Sequence, residues 1–289
     1  MPDTVTKLLR VCAPASTANL GPGFDCAAAA LDLWNELVVE DGEGVEIEGE
    51  GADELPRDAT HLALRAFALF AQSQGRRFRF VNRIPLERGL GSSAAAIALG
   101  LVAGAAVAGG GVPPDELLDA GAELEGHGDN LAAALNGGVC LAWRDGGRMR
   151  AVRVADDLPL KPLLAVPPQR VNTAHSRNGL PATVPHADAA ATAGAAARLG
   201  AAAAAGNAEL LRAAFADALH EPYRRGNAPL LEELAGLGAG VTLSGSGPSV
   251  VVWAEPAERA RVAAQIEEIA PPGTRVLPLD VAARGAGPA

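Results

Sequence analysis

Ile84-Pro85-Leu86-Glu87-Arg88-Gly89-Leu90-Gly91-Ser92-Ser93-Ala94-Ala95-Ala96 decides how the rest of the chain is read. An apolar strand runs into a glycine turn and then into a long alanine-rich helix. Glycine has no Cβ, so Gly89 and Gly91 can take positive φ and let the backbone approach a ligand. Ser92, Ser93 and the residues after them make the first turn of the helix, where free N–H groups and the positive end of the dipole favour an anion. The two hydroxyls can add bonds to phosphate oxygens or ligate a divalent metal. The stretch therefore reads as a phosphate cradle. It is not a G-x-x-x-x-G-K-[ST] loop, for want of a lysine, nor a G-x-G-x-x-G turn, because Ala94 holds the third glycine's place. Gly91-Ser92-Ser93-Ala94-Ala95 nearly meets the serine-hydrolase elbow G-x-S-x-G, which stays open as an alternative beside a plain turn.

Working outward, 289 residues is a length at which one domain commonly gives way to two. The pattern breaks around 156–159, which predicts halves at 1–157 and 158–289. A net charge of -10, with lysine at positions 7 and 161 alone, excludes a basic nucleic-acid face and points to a small-molecule partner. Cys12, Cys26 and Cys140 are odd in number and form no C-x-x-C pair, as expected of reduced core thiols in a cytoplasmic protein. The N-terminus has no signal-peptide pattern. Residues 89–114 carry no charge and are numerous enough to span a bilayer. Being mostly Ala and Gly and opening on a polar turn, they predict instead a helix buried against a sheet, not a membrane span.

Residues 8–13 read as a strand ended by Pro14, and 15–26 as a loop carrying Asn19 and Asp25, which either cap turns or serve a ligand. Strands are expected at 34–40, 45–50 and 77–81, with a helix over 61–74 between the last two. A helix over 115–125 turns at Gly126-His127-Gly128-Asp129-Asn130 into another apolar helix. That places Glu125, His127, Asp129 and Asn130 together, where four polar side chains need partners if they are buried. A strand at 137–143 closes the first half. In the second half the pattern gives a strand at 160–166, a loop at 172–177 and an alanine helix at 187–205. An amphipathic helix at 209–223 then delivers Arg224, and strand, glycine loop and strand fill 240–253. A helix at 258–268, a strand at 275–279 and a frayed tail at 284–289 end the chain.

Pro85-x-x-x-Gly89-Leu90-Gly91-Ser92-Ser93-Ala94-Ala95 resembles the phosphate-binding motif of the GHMP kinases. Pro14-Ala15-Ser16-Thr17-Ala18-Asn19-Leu20-Gly21-Pro22-Gly23-Phe24-Asp25 is similar to the first motif of that family in its homoserine kinase branch. Leu243-Ser244-Gly245-Ser246-Gly247-Pro248-Ser249 is similar to the third. Glu125-Gly126-His127-Gly128-Asp129-Asn130 resembles that branch's E-G-H-P-D-N, with Gly128 in place of Pro. The resemblance spans roughly 8–280.

It implies an α+β, two-domain fold, with a ribosomal-protein-S5-domain-2-like N-terminal half and a ferredoxin-like C-terminal half. It further implies ATP-dependent phosphorylation of the L-homoserine hydroxyl in threonine biosynthesis. By that resemblance Pro85, Leu86, Glu87, Arg88, Gly89, Leu90, Gly91, Ser92, Ser93, Ala94 and Ala95 bind ATP, and Ser93 and Glu125 ligate Mg2+. Thr173, Arg177 and Arg224 hold the substrate carboxylate, and Asp25 the ammonium. Asn19, His127, Asp129 and Asn130 surround the hydroxyl, and no residue is assigned as general base. A homodimer is expected by family analogy. The alternatives are another GHMP kinase with an alcohol such as mevalonate, a serine hydrolase using Ser93, His127 and Asp129, and a non-catalytic ATP-binding regulator. At two residues' separation Asp129 is expected to be badly placed to orient His127.

Overall fold

The computed structural model describes residues 8–171 and 173–289, the side chains at 173–175 excepted. β1 (Leu9–Ala18), β2 (Ala27–Asp41), β3 (Gly44–Gly49), β4 (Arg76–Asn82), β5 (Val139–Asp145) and β6 (Arg148–Ala155) lie in one sheet. β7 (Lys161–Val166), β8 (Gly240–Leu243), β9 (Val250–Ala254) and β10 (Arg275–Pro278) form a second, ordered β10-β7-β9-β8, and β11 (Gly287–Pro288) returns to the first. The first sheet runs β11-β1-β2-β4-β3, with β5 joined to β2 and β6 to β5. Only the β3–β4 pair is parallel among the pairings described.

The helices are α1 (Leu62–Phe67), α2 (Ser92–Val107), α3 (Pro114–Glu125), α4 (Asp129–Asn136), α5 (Thr173–Asn178), α6 (His186–Ala205), α7 (Ala208–Arg212), α8 (Glu221–Arg224), α9 (Leu230–Glu233) and α10 (Arg259–Ile269). The uncharged α2 packs between α1 and β1, with Ile97, Leu99 and Leu101 fully buried. Among the described residues no helix is long and apolar enough to cross a membrane. One core cluster joins residues of both sheets, such as Val39 and Phe80 with Val251 and Trp253. A smaller one lies between the second sheet and α9 and α10.

Several local expectations are corrected. β1 does not stop at Pro14: the register on β2 shifts between Pro14 and Ala15, and such an irregularity accommodates a residue without an N–H. β2 is one strand of 15 residues, so part of the apolar stretch before Trp34 is ladder as well. The helix expected at 61–74 is regular only over Leu62–Phe67. The β5–β6 hairpin went unread, although Gly146 and Gly147 both take positive φ at its turn. Residues 173–178 are helical rather than loop. The helix expected at 209–223 is broken: α7 ends at Arg212, and Asp217 accepts from the N–H groups of Leu219, His220 and Glu221 in the turn that leads into α8. The tail is not frayed: Val11 pairs with Pro288 and Cys12 with Gly287, and Ala286 N donates to Ala134 O at 2.7 Å. Cys12, Cys26 and Cys140 are free thiols, the first and last buried.

Glu221 ties α8 to β8 by accepting from Leu243 N at 2.7 Å. Burial pushes its carboxyl up to about 8, against the backbone hydrogen bond that favours the charged form. The folded chain thus keeps a proton that the unfolded chain releases above its ordinary value of about 4.3, so stability falls as pH rises from there towards 8. Glu221→Gln, which keeps the acceptor and removes the titration, is expected to match the wild type near pH 4.5. By pH 8 it should exceed it by ~2–4 kcal/mol. Urea unfolding at the two pH values checks this, and a gap that does not widen with pH would refute the assignment.

Candidate active site

The quoted stretch forms the loop between β4 and α2, and its geometry explains its glycines. Gly91 caps α2 at φ 65°, and a Cβ there would stand 2.1 Å from Ser16 Oγ and 2.9 Å from Asn130 Oδ1. Gly89, at φ 75°, would drive a Cβ to 2.1 Å from Ser244 O. The cradle is therefore pressed between the ends of β1 and α4 on one side and the loop joining β8 to β9 on the other. Ser244 Oγ bonds Gly89 O at 2.7 Å and Thr17 Oγ1 at 2.9 Å, and Gly245 N donates to Ala18 O at 3.2 Å. Arg88 does not reach into the cleft. Its guanidinium is committed to Leu86 O, Pro167 O and Pro168 O at 2.9, 3.1 and 2.7 Å, fastening the cradle to the segment after β7. Glu87, at φ 55°, accepts from Val171 N through its carbonyl at 2.9 Å.

A cavity of about 80 Å³ opens on this cradle and brings together Asn19, Asp25, His127, Asp129, Arg177 and Arg224. Ser93, Glu125 and Asn130 also line it, so the residues expected around the substrate and the metal converge, except Thr173, whose side chain lies outside the described residues, while Arg88 stays outside the cleft. The turn after β1 supplies two of them from strained backbone, Asn19 at φ 72° and Asp25 at φ 55°. Asn19 acts as a brace, donating to Gly245 O at 3.0 Å and accepting from Asp25 N at 3.1 Å. Asn130 Oδ1 accepts from Ser16 Oγ at 2.8 Å.

Asp25 and Arg177 form a two-pronged ion pair, both contacts at 2.7 Å, and the hydrogen bond to Asp25 raises the guanidinium's pKa. This pair is partly open to solvent, with side chains 38% and 43% exposed. Arg224, by contrast, is 2% exposed. Burial lowers its pKa and the neighbouring charge of Arg177 adds to that. Its Nε has no partner among the described residues.

Ser93 Oγ donates to Glu125 Oε2 at 2.6 Å, linking the start of α2 to the end of α3. Burial raises the Glu125 carboxyl; the Ser93 bond and His127 oppose it. His127 Nδ1 stands 2.9 Å from Asp129 Oδ1, so the two-residue spacing does let Asp129 orient the ring, contrary to the expectation above. Burial alone would lower the His127 pKa, but the hydrogen bond and charge of Asp129, helped by Glu125, leave it raised. The hydrolase arrangement is nevertheless not assembled, because the Ser93 hydroxyl is bonded to Glu125 and not to His127.

Glu125 and Ser93 are hard oxygen donors set at the mouth of the cradle, and the described residues hold no cluster of three or more His, Cys, Asp or Glu suited to a metal. That donor set fits Mg2+, which takes few protein ligands and completes its shell with phosphates and water.

Gly128 stands at φ -117° with Met149 filling the space beside it, where a Cβ would meet Met149 Sδ at 2.4 Å. The methionine occupies room that a proline ring would need, and a φ of -117° lies outside the range proline holds.

A second cavity, of about 400 Å³ and largely apolar, lies on the other flank of Ser92 and Ser93, lined by Leu55, His61, Leu62, Phe80, Leu86 and Ala96. His61 is stacked on Phe80 at 4.5 Å, with Nε2 buried and without a partner among the described residues. No motif in the sequence marks it. Ser16, Thr17 and Ser244, which position the cradle, also went unassigned; they stood inside the quoted motifs, but a bracing hydroxyl and a binding one look alike in sequence.

Residues 59–138 match the family described as GHMP kinases N terminal domain, and residues 189–271 that described as GHMP kinases C terminal. A homoserine kinase of Streptomyces coelicolor is 44% identical, covering 86% of this chain and 84% of its own. That of Streptomyces avermitilis is 42% identical over 96% and 94%. The crystal structure of homoserine kinase from Cytophaga hutchinsonii superposes with a TM-score of 0.86 at 25% identity, covering 99% of this chain and 98% of that one. With both domains matched in order, a two-sheet fold shared nearly end to end and relatives this similar, the chain belongs to the homoserine kinase family of the GHMP kinases.

Proposed function

We propose that this protein transfers the γ-phosphoryl group of ATP to the side-chain hydroxyl of L-homoserine, giving O-phospho-L-homoserine. The observation that carries the reading is the single small cavity in which two guanidinium groups and a carboxylate face a phosphate cradle and the Glu125–Ser93 pair. A zwitterionic amino acid presents its carboxylate to Arg177 and Arg224, with Thr173, and its ammonium to Asp25. Asp25 and Arg177 satisfy one another, so substrate binding would exchange one set of charge-assisted bonds for another. Cradle residues 85–95 receive the phosphates and the neighbouring apolar cavity the nucleoside. Ser93 and Glu125 would hold Mg2+, which supplies charge neutralisation on the phosphates.

His127, Asp129 and Asn130 surround the hydroxyl. Asp129 Oδ1 already accepts from Asn130 N at 2.8 Å and faces His127, so it serves to orient the ring. Asn130 has no basic atom, and Asn19 keeps the substrate loop against Gly245. No general base is assigned. Phosphoryl transfer tolerates this, since its loose transition state depends mostly on alignment and charge stabilisation. In the same proposal residues 1–157 carry the ATP site and 158–289 complete the substrate site of a cytoplasmic, homodimeric enzyme of threonine biosynthesis.

ADP release with Mg-ATP tests the reading, with L-homoserine, L-serine, L-threonine or mevalonate as acceptor. Selective turnover of homoserine is expected. Turnover of mevalonate alone would discard the substrate half of the reading, and no turnover with any acceptor would sink the kinase assignment.

A further inference from the structure

The least solvated imidazole beside the cleft belongs to His220, fully buried just before α8 and absent from every motif considered above. Its Nε2 stands 2.8 Å from Gly21 O. A carbonyl oxygen only accepts, so Nε2 carries the hydrogen. In a neutral ring Nδ1 is then a bare lone pair, and Arg224 Nη1 lies 3.2 Å from it. A guanidinium only donates, so one tautomer satisfies both contacts and an imidazolium would set N–H against N–H. The ring is fixed on its face by Phe24, stacked at 5.0 Å, and the Arg224 guanidinium lies over the same phenyl ring at 5.3 Å. Arg224 Nη1 also donates to Gly245 O at 3.2 Å. Both of these bonds use Nη1 and leave the buried Nε without a partner among the described residues, although it belongs to a residue lining the substrate cavity.

We infer that His220 is a positioning residue for the reaction: its Nδ1 lone pair, with Gly245 O, grips one corner of Arg224 so that the opposite edge of the guanidinium meets a substrate carboxylate. The inference rests on the substrate reading given above. Charged groups around the ring are Asp217 and Arg224 from the same segment and Asp25 from the turn after β1, with the carboxyl of Glu221 next in sequence. Asp217 Oδ2 lies 3.6 Å from Nε2 and also holds the His220 and Glu221 N–H groups. Burial outweighs the pull of Asp217, so the ring's pKa is lowered and the acceptor form persists through neutral pH. Acid, not base, removes the grip.

The test combines kinetics across pH with nitrogen-15 NMR of the imidazole ring in the intact enzyme. The free wild type should show His220 protonated at Nε2 and bare at Nδ1. Its KM for homoserine should rise as pH falls below the ordinary imidazole range near about 6.5. His220→Phe, which keeps the stack and removes the acceptor, should raise the homoserine KM about tenfold or more, with kcat and the KM for ATP nearly unchanged. His220→Asn restores an acceptor at the Nδ1 position without a titrating group. It should return the KM towards wild type and abolish the acid rise. A ring protonated at Nδ1, an acid rise that survives in His220→Asn, or parallel losses in the ATP KM would each overturn the inference. An Nε2–H ring in a protein that turns over only an acceptor without a carboxylate would overturn the substrate reading and the role of Arg224 with it, while leaving the tautomer intact.

Discussion

Glu125→Ala is expected to lower kcat by about 10²–10³-fold, whereas Asp129→Asn should cost about tenfold or less. Glu125 presents a buried carboxylate bonded to Ser93 at the start of α2, directly beside the cradle. In the proposed reaction Glu125, with Ser93, would hold Mg2+ beside the cradle, and the metal would supply charge neutralisation on the phosphates. Asp129 faces His127 and the Asn130 N–H, and an asparagine keeps an oxygen for one of these contacts. Steady-state kcat for both variants, with Glu125→Gln to separate charge from shape, decides the matter. If Asp129→Asn proved the more damaging, Asp129 would be taking the hydroxyl proton and the absence of a general base would be wrong.

Arg177→Ala should raise the KM for homoserine by about 10–100-fold with little change for ATP. Truncating one partner of a buried interfacial charge pair commonly costs ~2–5 kcal/mol. The Arg177 side chain, however, is 43% exposed, which reduces the expected loss to ~1–3 kcal/mol. Part of that loss comes from Asp25, which without its partner faces the incoming carboxylate as an uncompensated like charge. Asp25→Asn should weaken homoserine binding too, by removing the ammonium's acceptor. A parallel fall in ATP affinity for Arg177→Ala would move the residue to the nucleotide side or to folding.

The cradle was legible in the sequence because its glycines are forced by contact: two positions without room for a Cβ, followed by a helix start. The convergence of Glu125, His127, Asp129 and Asn130 was legible for a different reason, their crowding into six residues between two helices. The Asp25–Arg177 pair was not. The two lie 152 positions apart, and no local rule says that two groups assigned to opposite ends of one substrate will pair with each other. The break before α8 was hidden because apolar periodicity ran through it, while Asp217 offered the backbone a competing set of acceptors. His61 and the cavity around it left no trace, since apolar side chains that line a pocket follow the same pattern as those that fill a core.

Ser244 reaches Gly89 and Thr17 at once, and Asn19 crosses in the opposite direction to Gly245. A hybrid gene joining the first 157 residues of this chain to the remainder of a relative would therefore recombine the stitching of the catalytic cleft along with the substrate side chains. Such hybrids should tolerate divergence on the outer faces of the sheets. They should fail when parents differ at these few crossing positions, and swapping Thr17, Asn19 and Ser244 as one inherited block should recover them.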